Sequence, residues 1–492
     1  MTIWFDVEDL INFFQTARRP TGIQRFSFET CAAAAQLRGS TFDIGFCRRN
    51  ERGTRLLAVD FGALEARIRA TADQEPSVPE TAPPPPTAMA PRPGRLYQAA
   101  RRLPPAYRLP LGELYRAGLA GARALKALAR AGLATLSPPA QTPPTTTPSP
   151  APDTQPITLG AGDWLIHLGA SWERPYAPGF LNSLTAAGAR LGLFAHDMIP
   201  DLFPEWCTQS MVRDFSLWLD EQVPRADAVF AISQNTLTDL QSSLERRNRR
   251  VPPQSRLPPG GADKIIGTRL ARPLPDPYIL MVGTIEARKN HGGMLRVWRQ
   301  LLHTPPANGV PRLVFAGKEG WLTKDLMQQL ENSAYLDGRI LFVDQPSETQ
   351  LAALYQHCLF TLYPSFYEGW GLPVTESLCY GKPVLASGSS AIPEAGGPFC
   401  GYFDPDDLAA AEALIRSWID HPELVAQAQA QIEADFIPPA WQNTAAALLA
   451  RCQPQQTPAS AQIHILNRRG ATTESNICLL YTSPSPRDRT RS

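Results

Sequence analysis

Residues 363–387 read YPSFYEGWGLPVTESLCYGKPVLAS. The stretch begins at the end of one apolar run, CLFTLYPS, and closes on another, KPVLASGS, so it spans a strand, a loop, a helix and a second strand. Gly369-Trp370-Gly371 permits a tight turn and a close backbone approach to a ligand. Pro373 suits the first helical position, where its missing N–H has no partner to lose. Glu376 then falls in the first helical turn, while Glu368 precedes the loop. The free N–H groups and positive dipole end of that helix offer an anion site. A carboxylate on either side suits a polyhydroxyl ligand, because an acid accepts hydrogen bonds from neighbouring sugar hydroxyls. A capping acid and a surface acid with no ligand is the bland alternative.

The same texture extends in both directions. PYILMVGT, RLVFAGK and RILFVDQ precede it, all short apolar runs separated by helical segments, as expected for buried parallel strands. DWLIHLG, RLGLFAHD and ADAVFAIS repeat the pattern between Asp163 and Ser233, and IWFDV, FDIGFC and RLLAVDF do so near the N-terminus. The fold class is therefore α/β: two Rossmann-like doubly wound domains facing a central cleft, with ligands at the strand C-termini. The expected division is 1–72 with 159–250 for the N-terminal domain, 264–435 for the C-terminal domain, and 436–452 for a closing helix carrying Trp441. RNRRVPPQSRLPPGGAD (247–263) reads as the break between the halves.

Composition supports this division. The chain has 492 residues, 43% of them hydrophobic, which is too long for one core and excludes wholesale disorder. Forty-seven Lys and Arg against 46 Asp and Glu leave a formal charge of +1, which argues against a nucleic-acid partner. Prolines number 49, and 19 of them fall in 73–158. That segment reads as an extended, low-complexity insert. Within it, LGELYRAGLAGARALKALARAGLATL (111–136) sets Arg116, Arg123, Lys126 and Arg130 on one helical face, a basic amphipathic helix suited to peripheral membrane contact or to packing on its own domain. The tail, 453–492, loses all periodicity and ends in NICLLYTSPSPRDRTRS, which resembles translated adaptor sequence more than evolved protein. The eight cysteines show no metal spacing, and MTIWFDVEDL has no basic n-region. A cytoplasmic protein is expected, with the inner face of the membrane as a second possibility.

A further constellation is GTIEARKNHGG (283–293), directly after the run YILMV. Gly283 ends the strand, and Arg288 and Lys289 sit in the turn opening the next helix, where two cations and helix amides together can neutralise a diphosphate. His196 follows LGLF and precedes Asp197, so it lies at a strand end facing the cleft. Asp197 either orients the imidazole or caps the next turn. The other six histidines show no metal spacing, and Glu394 in IPEAGG reads as structural.

At this level the sequence resembles the retaining nucleotide-sugar glycosyltransferases of family 4, which have the GT-B fold. The resemblance is carried by FYEGWGLPVTE, CYGKPVLASGSSAIPEAGG, VGTIEARKN and LVFAGKEGW, and more loosely by DVEDL…RPTGIQR and LFAHDMIPDLFPE. It implies that Glu376 holds the ribose hydroxyls and that Glu368 contacts the transferred sugar. Backbone amides at Gly369, Trp370, Gly371 and Leu372 then approach sugar and phosphates. It places His196 by the reacting sugar and Gly22 in a loop near diphosphate and acceptor. Many members carry Arg directly after the strand-end Gly; here that residue is Thr284, so the phosphate work falls to Arg288 and Lys289. The implied activity is metal-independent transfer of a hexosyl group, mannosyl as first guess, from a nucleotide diphosphate sugar to a glycan or lipid-linked acceptor in surface-polysaccharide biosynthesis. No cofactor is expected beyond the donor substrate. A non-catalytic nucleotide- or glycan-binding scaffold and a sugar-nucleotide epimerase or hydrolase are the competing readings.

Overall fold

A computed structural model describes residues 1–15, 22–39, 42–73, 155–261 and 269–453. The Pro-rich insert with its basic helix, and all of the tail after Gln453, lie outside the described residues. Two sheets organise the rest. The first contains β1 (Thr2–Asp6), β2 (Asp43–Arg49), β3 (Leu56–Ala58), β4 (Pro156–Ile157), β5 (Trp164–His167), β6 (Arg190–Ala195), β7 (Ala228–Ala231) and β8 (Gln254–Arg256), in the order β4-β3-β2-β1-β5-β6-β7-β8. The second contains β9 (Tyr278–Val282), β10 (Arg312–Gly317), β11 (Ile340–Asp344), β12 (Thr361–Tyr363), β13 (Val384–Ser387) and β14 (Cys400–Phe403), in the order β11-β10-β9-β12-β13-β14. The expected α/β architecture with two parallel-sheet domains is present.

Every pairing in the second sheet is parallel. Its strand order reverses between β9 and β12, so the loops leaving those two strands diverge and open a crevice at their C-terminal ends. In the first sheet the reversal falls between β1 and β5. Helices cover both faces, which is why β5, β12 and β13 are buried at every position rather than at alternate ones.

One edge departs from the parallel expectation. β3 runs antiparallel to β2, and β4 antiparallel to β3. The link between β2 and β3 is too short for a crossover, and Asn50 tightens it: its side-chain oxygen accepts from the N–H of Thr54 at 2.8 Å and of Arg55 at 3.1 Å. The chain leaves this edge through the helix Phe61–Asp73 and re-enters as β4, so residues 74–154 are spliced in where the sheet already ends. At the opposite edge, the segment expected only as a break between the halves supplies β8, which pairs in parallel with β7.

The two sheets belong to one compact body, Met1–Cys452. The helix Trp441–Cys452 ties them together. Its buried residues Trp441, Thr444, Ala445, Leu448, Leu449 and Cys452 recur at helical spacing on one face. That face packs on the helix Ile23–Gln36, with the Phe26 and Trp441 rings 5.8 Å apart, edge to face. The Trp441 indole donates to the Gly261 carbonyl at 3.1 Å, and the Trp164 indole donates to the Cys452 carbonyl at 2.8 Å. Among the described residues, no helix is long and apolar enough to cross a membrane, and all seven cysteines are free thiols.

Trp441→Ala should lower unfolding free energy by about 3–5 kcal/mol, the usual cost of truncating a fully packed aromatic. Urea denaturation followed by far-ultraviolet circular dichroism measures it. An effect below about 1 kcal/mol contradicts the anchoring role.

Candidate functional site

The site grows from the two strand ends flanking the switch point. After β9 the chain turns at Gly283 (φ +147°) and forms a short 3-10 turn, Ala287–Lys289, before the helix His291–His303. Asn290 adopts a left-handed conformation (φ 59°) between turn and helix, and its side-chain amide donates to the Pro405 carbonyl at 3.0 Å. This kink delivers Arg288 and Lys289 side by side. After β12 the chain passes through Ser365 and Tyr367 to Glu368, whose backbone N–H donates to the Ser390 hydroxyl at 2.9 Å.

The two cations and the acid meet. Lys289 Nζ lies 2.5 Å from one oxygen of Glu368, and an Arg288 guanidinium nitrogen lies 2.5 Å from the other. Arg288 also pairs with Glu286 at 2.7 Å and donates to the Tyr367 carbonyl at 3.1 Å. Lys289 donates to the Tyr363 hydroxyl at 2.8 Å. Burial works to raise the Glu368 carboxyl, but Arg288 and Lys289 outweigh it and hold the group at about 2. Burial presses the Lys289 ammonium the other way, below its ordinary value, with Glu368 opposing. Glu286 is 3% exposed, and burial raises its carboxyl.

Glu376 sits one turn into the helix Leu372–Cys379, which follows Gly371 (φ +120°) and carries Pro373 in its first turn. Both of its oxygens are engaged: Arg25 binds Oε1, and the Tyr355 hydroxyl donates to Oε2 at 2.9 Å. Burial pushes its carboxyl upward, against the pull of Arg25 and Tyr355. Arg25 comes from the other half of the molecule, three residues after Gly22, the left-handed residue (φ 54°) preceding the helix Ile23–Gln36. Arg25 closes the RPTGIQR run, where only Gly22 is given a role, and Tyr355 lies in no motif.

His196 lies directly after β6, 5% exposed, with the rings of Phe194 and Phe26 against it at 4.6 and 5.4 Å. Its Nε2 is 2.7 Å from the Leu168 carbonyl. A carbonyl only accepts, so Nε2 carries the proton and Nδ1 is the free lone pair of a neutral ring. Burial lowers the group to about 4. Asp197 instead accepts from the Ile199 N–H at 3.0 Å, capping the next turn rather than orienting His196. Burial raises its carboxyl while Arg288 pulls it down. Gly369 meets this loop across the seam: a Cβ there would collide with the His196 carbonyl oxygen and crowd the Asp197 Cβ. Trp370 is buried, its indole donating to Thr375 at 3.1 Å.

Arg288, Lys289, Glu368, Gly369, His196 and Asp197 therefore converge on one locus, and Glu376 with Arg25 and Tyr355 forms a second one along the same loop and helix; Gly22 heads the helix that carries Arg25. Glu394, expected to be structural, bridges the halves: its carboxylate accepts from the N–H groups of Gln234 and Asn235 at 2.8 and 2.9 Å and pairs with Arg256 at 3.0 Å. Among the described residues there is no cluster of His, Cys, Asp and Glu that could hold a metal ion.

Residues 265–434 match the family model described as glycosyl transferases group 1. Among curated proteins, the serotype-specific mannosyltransferase WbdA of Escherichia coli is 26% identical over 257 residues, covering 49% of this chain and 31% of that protein. The O-antigen chain mannosyltransferase B of E. coli is 36% identical over 138 residues, covering 28% of this chain and 35% of that one. The chain thus spans about a third of the length of these relatives. Among solved structures, TarM aligns with a TM-score of 0.46 at 12% identity, over 59% of this chain and 55% of that one. A trehalose-6-phosphate synthase aligns at 0.48 and 14%, over 60% and 74%. The architecture rests on the strand order above, not on these scores.

Glu368→Gln leaves two buried cations short of a counter-charge and should cost about 3–5 kcal/mol at pH 7. Because the folded carboxyl lies below its unfolded value, that stabilisation is complete above about pH 4.5 and is lost as pH falls toward about 2. Urea midpoints of both proteins at pH 7 and pH 3 test this, and a gap that does not shrink refutes it. Gly369→Ala should cost about 1–3 kcal/mol by overpacking against the His196 carbonyl; a neutral substitution would mean the seam yields freely.

Proposed function

We propose, from the match of residues 265–434 to the family model described as glycosyl transferases group 1, that the chain is a retaining, metal-independent glycosyltransferase of family 4 type, transferring a hexosyl group, mannosyl first, from a nucleotide diphosphate sugar. The acceptor is a glycan or lipid-linked glycan in surface-polysaccharide synthesis, the setting in which the relatives named mannosyltransferases suggest it should be sought. The observation that carries the reading is the pair of cations, Arg288 and Lys289, gathered on Glu368 at the switch point of a parallel sheet.

Cleaving the bond between sugar and nucleoside diphosphate develops negative charge on the departing diphosphate. Cations fixed in a buried site stabilise that charge more than they stabilise the substrate, and little reorganisation remains to be done at the moment of reaction. Before the donor binds, Glu368 holds both cations. When it turns to accept hydrogen bonds from the sugar, they are released toward the diphosphate. The amides at Gly369, Trp370, Gly371 and Leu372 open the helix that carries Glu376, whose carboxylate takes the ribose hydroxyls. The neutral His196 ring offers Nδ1 to a sugar hydroxyl. No covalent nucleophile is assigned. Peripheral membrane contact by 111–136 would bring the cytoplasmic enzyme to lipid-linked acceptors, and liposome flotation with and without that segment tests it.

The deciding measurement is nucleotide release from GDP-, UDP-, ADP- and dTDP-sugars on protein truncated after residue 453, beside Glu376→Ala. Slow hydrolysis of one donor, reduced at least about a hundredfold by the substitution, is expected. If no donor binds or releases nucleotide, the non-catalytic scaffold replaces this reading.

A further inference from the structure

We propose that Arg25 occupies the ribose position on Glu376 before the donor arrives, so that the donor binds by displacing it and Arg25 sets donor affinity from the opposite half of the molecule. This rests on the reading that Glu376 receives the ribose. Arg25 binds Oε1 of Glu376 directly, while Tyr355 fills Oε2, so a diol needing both oxygens finds one of them taken by a charged competitor. The pair links residues 351 positions apart on the two halves, so it forms only when the seam is closed. Closure is independently marked by Glu394 capping the helix Gln234–Arg246 across the same seam. The Arg25 side chain is 21% exposed against 9% for Glu376, so the guanidinium has a route to solvent and the carboxylate has almost none.

The other charges around the pair fit exchange rather than permanence. Arg25 also faces Glu348 and Glu29, which attract it when it leaves Glu376. Glu376 faces Glu348, which repels it, and so needs a replacement partner when Arg25 departs. A carboxylate left buried and unpaired is costly. A ribose diol, donating two hydrogen bonds, is the kind of group that relieves that cost. Arg25 is thus a positioning residue that acts through Glu376, and it does not touch the reacting atoms.

The size of the effect is set by population. If the Arg25-paired state holds about nine molecules in ten, the apparent affinity for nucleotide is reduced about tenfold. Removing the guanidinium restores it. Titration calorimetry of GDP, UDP and ADP with wild type, Arg25→Ala, Arg25→Met and Glu376→Ala reads this directly. Arg25→Met keeps the aliphatic stem, which guards against a loss of folding in the alanine variant. The 2′,3′-dideoxy form of whichever nucleotide binds serves as the probe without the diol.

The expected result is that both Arg25 variants bind the ribonucleotide roughly tenfold tighter, bind the dideoxy form no tighter, and that Glu376→Ala weakens the ribonucleotide. Unchanged or weaker binding by the Arg25 variants, with Glu376→Ala still weakened, overturns the displacement and leaves the glycosyltransferase reading standing. Equal tightening of ribo- and dideoxy forms also overturns it, since a general opening of the seam would then be the cause. Binding that Glu376→Ala does not affect overturns the ribose assignment itself, and the inference with it.

Discussion

The burial of Glu368 between Arg288 and Lys289 is the interaction on which the rest of the site depends. Three ionised groups sit where water scarcely reaches, and none could remain there alone. Their meeting requires that β9 and β12 be neighbours whose outgoing loops diverge, which only the reversal in strand order supplies. It also requires Asn290 to turn left-handed, so that the chain presents two consecutive side chains before the helix begins. Fold and site are therefore inseparable. The sheet makes a crevice, the kink fills it with positive charge, and the acid from the opposite loop keeps that charge from destabilising the protein.

The same loop governs the contact between halves. Gly369, the residue after Glu368, lies against the His196 carbonyl with no room for a side chain. Two residues earlier, the Tyr367 hydroxyl donates to Asp239 and accepts from Asn235 at 3.0 Å, both in the other half. The Trp321 indole reaches the Trp206 carbonyl at 2.6 Å, and Glu394 caps a helix it does not belong to. These are polar, directional contacts around a glycine, unlike the interdigitated apolar face of the helix Trp441–Cys452. Aromatic rings reinforce them across the same seam, Phe203 against Tyr367 at 5.2 Å and Trp206 against Phe366 at 6.0 Å.

Much of this is legible in sequence, and the division between what is and is not legible is physical. Strands buried on both faces announce themselves as apolar runs, so β9, β10, β12 and β13 are clear. Arg288, Lys289, Glu368 and Glu376 stand out because glycines and a proline fix their local conformation. The direction of β3 is hidden because it depends on loop length, and β4 (Pro156–Ile157) falls inside 73–158, the stretch read as insert, because two paired residues after a Pro-rich run leave no strand pattern. β8 is only three paired residues, hidden in a Pro-rich linker. Arg25 closes the RPTGIQR run, yet its pairing is invisible for a stronger reason: its partner lies 351 residues away. Glu394 reads as an ordinary first-turn acid until the helix it caps is seen.

His196 shows how burial narrows a chemical role. An imidazole at a strand end beside a sugar could act as a cation or as a neutral hydrogen-bonding group, and the sequence leaves both open. Three aromatic and backbone contacts decide between them. Phe26 and Phe194 exclude water from the ring, and the Leu168 carbonyl fixes the proton on Nε2. With its pKa lowered to about 4, the ring is neutral throughout the physiological range. It therefore adds no positive charge to a locus whose electrostatics already rest on Arg288 and Lys289. What remains is Nδ1, an acceptor held in fixed orientation. The role proposed for it, ordering a hydroxyl while charge stabilisation falls to the two cations, would then be set by solvent exclusion rather than by residue type.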